Sequence, residues 1–188
     1  LICSPRCPIM SVPDAIAEIW RTYQVTLDCL EVALLEKKRG RIDSLQGTGF
    51  MDMPIDVVRR DIQTSRDVVN DHAILSMWTV FEREMVAVLE SESRKMLDTS
   101  SSAFNQAVCR KVEAGIEYWR VSEMIDLFKP LLAIELIGYM KQIKRYRDWV
   151  AHKNPKKASP AKVTPEFTYE VLVLALEQMG AVSQAIAG

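Results

Sequence analysis

Apolar residues recur at steps of three and four along almost the whole chain, and no segment alternates in twos as a half-buried strand would. That periodicity restricts the fold to helices that bury one face each. The first helix is predicted from about Pro13 to Arg39. Its stripe is Ile16, Ile19, Trp20, Tyr23, Leu27, Leu30 and Leu34, and Ser11 stands where a cap belongs. Lys37, Lys38 and Arg39 suit the negative end of the helix dipole, and Gly40 ends the helix. With 188 residues the chain suits one core. The expectation is an all-α, up-and-down bundle of five or six helices forming a single domain over residues 12–188. Residues 1–11 hold Cys3, Cys7, Pro5 and Pro8 and read as an extension that is expected to be poorly ordered.

Further along, residues 40–53 form the longest internal loop. Its Gly47-Thr48-Gly49 is too short for a phosphate-binding fingerprint and follows no strand. A helical stretch runs from Pro54 to about Leu97, with Leu75, Trp78, Phe81, Met85 and Leu89 on one face. It reads as one helix or two, because Val68–Asp71 supplies β-branched residues, Asn and Asp. A third helix ends near Tyr118 and a short one covers Val121–Lys129. Pro130 is expected to open the next helix, whose stripe is Leu132, Leu136, Met140, Ile143, Tyr146 and Val150. Asn154-Pro155 ends it. Thr164-Pro165-Glu166 supplies a cap, a first-turn proline and a dipole-matched acid for a last helix to about Ala187.

The four cysteines show neither a disulfide framework nor a second pair that would complete a zinc site with Cys3 and Cys7. No metal or cofactor is expected, and a cytoplasmic setting follows from cysteine usage. The most apolar runs are broken by Glu135 and Glu177, so no membrane span is expected.

Net charge is −1, so partners must be sought in local charge. Between Lys141 and Lys162 lie eight cations, namely Lys141, Lys144, Arg145, Arg147, Lys153, Lys156, Lys157 and Lys162, against Asp148 alone. A helix end whose cations complement the dipole explains two or three of them. The rest point to an anionic partner, most simply a phosphate backbone. Within this run stands Arg147-Asp148-Trp149-Val150-Ala151-His152. Asp148 precedes His152 by four residues and shares its helical face, where a carboxylate can orient an imidazole. A switching His beside a fixed Arg charge suits acid–base work on a phosphodiester. Spacing alone is a weak signal: Arg66 and His72, the other histidine, form a similar pair in a run without a basic loop, and His72 reads there as packed or capping.

The Arg-Asp-Trp-Val-Ala-His run resembles the Arg-[Asn/Asp]-x-x-x-His core of HEPN domains, placed as here at the end of a late helix before a loop and a final helix. Ala73–Glu82, with its Phe81-Glu82 pair, is similar to an apolar helix of RiboL-PSP-like and related bacterial HEPN proteins. The resemblance covers about residues 14–185. It implies a metal-independent ribonuclease, in a defence or toxin–antitoxin setting, whose Arg and His line a cleft between two subunits. Arg147 would stabilise transition-state charge, His152 would move the proton, and Asp148 would fill the polar position after the Arg. Lys144, Arg145, Lys153, Lys156 and Lys157 would hold RNA. The implied partners are RNA, a second copy of the chain, and an antitoxin or regulatory protein. Two departures stand out. Asn154 replaces a Tyr found in members silenced by a nucleotidyltransferase, and Lys153 replaces a small residue. On an ideal helix Arg147 and His152 lie about 140° apart, whereas Arg145 and His152 nearly share a face. The Arg147 assignment therefore assumes that the last turn loosens before Pro155. The alternative is a non-catalytic HEPN module that binds a nucleotide or a protein.

Overall fold

A computed structural model describes residues 12–99, 102–152, 158 and 160–185. Among them are six α-helices and no strand: α1 (Val12–Lys38), α2 (Ile55–Thr99), α3 (Ala103–Glu113), α4 (Val121–Leu127), α5 (Ile134–His152) and α6 (Pro165–Ala185). Short 3₁₀ turns cover Ile42–Leu45 and Ile116–Tyr118. The all-α bundle read from periodicity is the observed class. The proposed extension at residues 1–11, its Ser11 cap included, lies outside the described residues.

Local chemistry sets several boundaries. Gly40 takes φ +69°, a left-handed conformation that costs glycine little. Arg41 N–H then reaches back to the Glu36 carbonyl at 3.1 Å and Gly40 N–H to that of Lys37 at 3.2 Å. This pair of bonds closes the end of α1 and satisfies carbonyls the helix leaves open. At α6, Thr164 Oγ1 accepts the Phe167 N–H at 3.2 Å, and Pro165 occupies the first helical position. Pro130 does not open α5. Residues Phe128–Leu131 form a turn in which Leu131 and Leu132 N–H both donate to the Phe128 carbonyl at 2.9 Å, and α5 starts at Ile134.

The segment Val68–Asp71 does not break α2, which runs 45 residues and about 67 Å without interruption. Its two polar residues are engaged by neighbouring helices instead of by their own backbone. Tyr23 of α1 donates to Asn70 Oδ1 at 2.9 Å, and Tyr146 of α5 donates to Asp71 Oδ1 at 2.9 Å. The α1–α2 pair is antiparallel: Leu34 packs with Val58 and Ile62, Glu31 pairs with Arg66, and Tyr23 meets Asn70. The main core gathers around Ala73, Ile74, Met77, Trp78, Phe81 and Met85 of α2, all buried. The six residues of the predicted stripe are buried against it, Leu132 from the turn ahead of α5 and the other five from α5 itself, as are Leu172, Ala175 and Met179 of α6. Leu75 and Leu89 lie at the stripe's edges and are half-buried. Among the described residues no helix is long and apolar enough to cross a membrane.

Phe81 is fully buried at the centre of this core. Phe81→Ala should lower unfolding free energy by about 3–5 kcal/mol, through lost transfer energy and the cavity left behind. A denaturant titration followed by circular dichroism checks the value.

Candidate functional site

The C-terminal half of α5 carries the residues singled out by charge and motif, and α2 holds the most important of them in place. Trp78 is fully buried, so its indole N–H needs an acceptor. It donates to Glu82 Oε2 at 2.9 Å, one helical turn along α2. Arg147 Nη2 donates to the same oxygen at 3.0 Å, and its Nη1 donates to Asp148 Oδ1 at 3.1 Å. Lys144 Nζ completes the chain by donating to Asp148 Oδ2 at 2.6 Å. The four charges alternate in sign and sum to zero, and each side chain is half-buried. Burial opposes ionisation of Asp148. The bonds and charges of Lys144 and Arg147 outweigh it and hold the carboxyl below its ordinary range. The Phe81-Glu82 pair thus divides its labour: Phe81 enters the core and Glu82 turns to Arg147. In the sequence, the one sign of Glu82's role is its i, i+4 spacing from Trp78.

The motif histidine sits elsewhere on the helix. α5 stays helical through His152, so the expected loosening of the last turn does not occur. Arg147 and His152 therefore point about 140° apart, while Arg145 and His152 lie within about 20° of each other. His152 and Arg145 are exposed. Asp148 does not orient the imidazole as expected, because its two oxygens take Arg147 and Lys144. Among the described residues no hydrogen bond or ion pair engages His152.

The eight-to-one charge count also changes in three dimensions. Lys141 pairs with Asp126 of α4, and Lys162 lies 3.8 Å from Asp67 of α2. Arg147 has Glu82. Of the described cations in the run, Arg145 alone has no acidic partner among the described residues. Lys153, Lys156 and Lys157 lie outside the described residues.

The second Arg–His pair does not assemble. Arg66 pairs with Glu31 of α1. His72 is neither packed nor capping: it is exposed in mid-helix, on the rim of an α1–α2 groove of about 410 Å³ shared with Glu18, Thr22 and Ser76. Among the described residues no group of three or more His, Cys, Asp or Glu could hold a metal ion.

Two tyrosines tie α1 and α5 to the same stretch of α2. Burial, with Glu166 beside it, pushes the Tyr23 hydroxyl up to about 12. Burial, reinforced by its bond to Asp71, pushes Tyr146 up to about 12 as well.

No protein-family model, curated protein or solved structure matches this chain.

Two outcomes are expected from this geometry. Glu82→Ala leaves the Trp78 indole N–H without its acceptor and Arg147 without one of its two, and should cost about 1–3 kcal/mol in a denaturant titration. The same titration against pH should show the tyrosines. Their folded values exceed the unfolded value of about 10, so the folded state binds more protons between the two. Stability should be fully present below pH 10 and fall as pH rises through about 12. Tyr146→Phe should make that alkaline fall shallower. An unchanged slope would show that Tyr146 is not coupled to folding.

Proposed function

We propose that this chain is a HEPN-type endoribonuclease that cleaves RNA by attack of its own 2′-hydroxyl, without a metal ion. The observation that carries this reading is the clamp on Arg147. Two carboxylates from α2 and α5 fix the guanidinium in one orientation and use two of its five N–H donors. The remaining donors can meet a phosphate oxygen without rearrangement, which is the preorganisation that transition-state stabilisation needs. The cluster around Arg147 is neutral, so attraction for RNA has to come from Arg145 and from the lysines that follow His152 in the sequence.

In the reaction the 2′-oxygen forms a bond to phosphorus as its proton passes to a base. The bond to the 5′-oxygen breaks as an acid returns a proton to it. His152 supplies the base or acid form. Because Arg147 and His152 diverge on a regular helix, one phosphodiester is best reached by Arg147 of one copy and His152 of a second, in a two-fold cleft. An activity of this kind needs restraint in the cell that makes it. That fits a defence or toxin–antitoxin setting with a regulatory partner.

One observation favours a second reading, a non-catalytic HEPN module that binds a nucleotide or a protein. Glu82 and Asp148 cancel the Arg147 charge, and a guanidinium held this way can serve packing alone.

The purified chain should cut single-stranded RNA in excess EDTA, leave 2′,3′-cyclic phosphate ends and spare DNA, which lacks the nucleophile. His152→Ala should slow cleavage by about 10²–10⁴-fold. Arg147→Ala should cost a comparable factor, and Arg147→Lys should not restore it, since a point charge cannot replace the planar fork. Arg145→Ala should weaken RNA binding and flatten its salt dependence. His72→Ala should leave the rate unchanged. Equal, negligible cleavage by wild type and His152→Ala across varied RNAs would favour the binding module.

A further inference from the structure

The register of α1 on α2, set by Tyr23 against Asn70 and by Glu31 against Arg66, brings Glu18, Ile19 and Thr22 opposite the turns of α2 that hold His72, Ala73 and Ser76. Thr22, Ala73 and Ser76 are small. Short side chains facing each other across two helices leave the space between them unfilled, and here it amounts to about 410 Å³. That size is in the range of pockets that hold small organic molecules.

Floor and rim differ in chemistry. Ile19, Tyr23, Val69 and Ala73 are buried or half-buried and supply an apolar floor. Tyr23 contributes its ring alone, because Asn70 and Glu166 take up its hydroxyl. Thr26 has also committed its hydroxyl, to the Thr22 carbonyl at 2.8 Å. On the rim stand Glu18, Thr22, His72 and Ser76, all exposed. Among the described residues no hydrogen bond or ion pair engages any of these four side chains. With no bond joining His72 to Ser76, the rim presents binding groups rather than an activated nucleophile.

Charge selects the ligand. Glu18 is the one acid of the lining, no Lys or Arg belongs to it, and among the described residues no cation pairs with Glu18. A phosphate or carboxylate ligand would be repelled by Glu18 and find no fixed positive charge in return. An organic cation meets every feature. Its ring lies on the floor against the Tyr23 ring, its ammonium reaches Glu18, and the hydroxyls of Thr22 and Ser76 offer further acceptors.

We propose that the α1–α2 groove is a binding site for a small aromatic amine. Ala73 and Glu82 lie about 180° apart around α2 on an ideal helix, so the groove and the Arg147 clamp occupy opposite sides of it. The inference does not rest on the RNA reading, and the ligand it names is opposite in charge to RNA.

Tryptamine and phenethylamine, titrated into the intact chain and followed by methyl NMR, test this. Ligands of about a dozen heavy atoms bind a groove of this kind in roughly the millimolar range. Saturable shifts are expected at the methyls of Ile19, Thr22, Val69 and Ala73, and none at Ile143 or Val150 of α5. Tryptophol, which carries a hydroxyl in place of the ammonium, should bind about five-fold more weakly than tryptamine, the worth of one exposed ion pair. Indole-3-propionate should not bind measurably. Glu18→Gln should bring tryptamine down to the level of tryptophol and leave tryptophol unchanged. Ser76→Leu puts bulk into the groove from an exposed position and should abolish binding of both, with circular dichroism showing the fold retained. Should that variant not fold, Thr22→Leu fills the groove from α1 instead. Absence of saturable shifts from both amines, or shifts confined to residues outside the groove, overturns the proposal. So does a Glu18→Gln protein that keeps the preference for tryptamine. Equal binding of tryptamine, tryptophol and indole-3-propionate would reduce the groove to an apolar notch without charge recognition and overturn it as well.

Discussion

Every other α-helix of the chain packs against α2, so the architecture depends on that helix staying continuous for 45 residues. Its middle turns carry a buried stripe from Ala73 to Met85 at three- and four-residue steps. At the N-terminal edge of the stripe, Asn70 and Asp71 would favour a break in isolation, since short polar side chains compete for the backbone. Tyr23 and Tyr146 occupy those side chains from opposite neighbours. The residues that threaten the helix locally are therefore the ones that tie α1 and α5 to it. Hydrogen bonds from two buried hydroxyls replace the local bonds that would have ended the helix.

The middle of the stripe presents a related problem with a different solution. Trp78 fills the core but carries an N–H that cannot be left unpaired there. Glu82 satisfies it, and a half-buried carboxylate then needs a cation of its own. Arg147 supplies that cation from α5. Packing a tryptophan thus leads, in two steps, to an arginine held on the bundle surface in a single orientation. This chain of need explains the clamp without reference to activity. It also leaves an oriented guanidinium with donors to spare, the kind of group from which a phosphate site can be built.

How much of this could be read from the sequence depended on distance along the chain. The end of α1 at Gly40, the cap of α6 at Thr164 and the buried stripe from Leu136 to Val150 of α5 follow from local residue types. The continuity of α2 was not legible, because the partners of Asn70 and Asp71 lie 47 and 75 residues away. Pro130 misled because a first-turn proline and a proline inside a preceding turn look alike until Phe128 is seen accepting both following N–H groups. The basic run was overcounted for the same reason as the helix break. Asp126 and Glu82, which neutralise Lys141 and Arg147, stand 15 and 65 residues from them. Within the motif, residue types were legible, but their grouping was not. Asp148 serves Arg147 and Lys144, not His152.

The regularity of α5 has the largest consequence for function. A motif of arginine, four residues and histidine on an unbroken helix turns its two ends about 140° apart. One subunit then offers Arg147 beside α2 on one side and His152, with Arg145, on another. On the proposed reading, a single phosphodiester is reached more readily by Arg147 of one copy and His152 of another than by both from one copy. The proposed ribonuclease reading therefore calls for an assembly that brings the C-terminal ends of two α5 helices together.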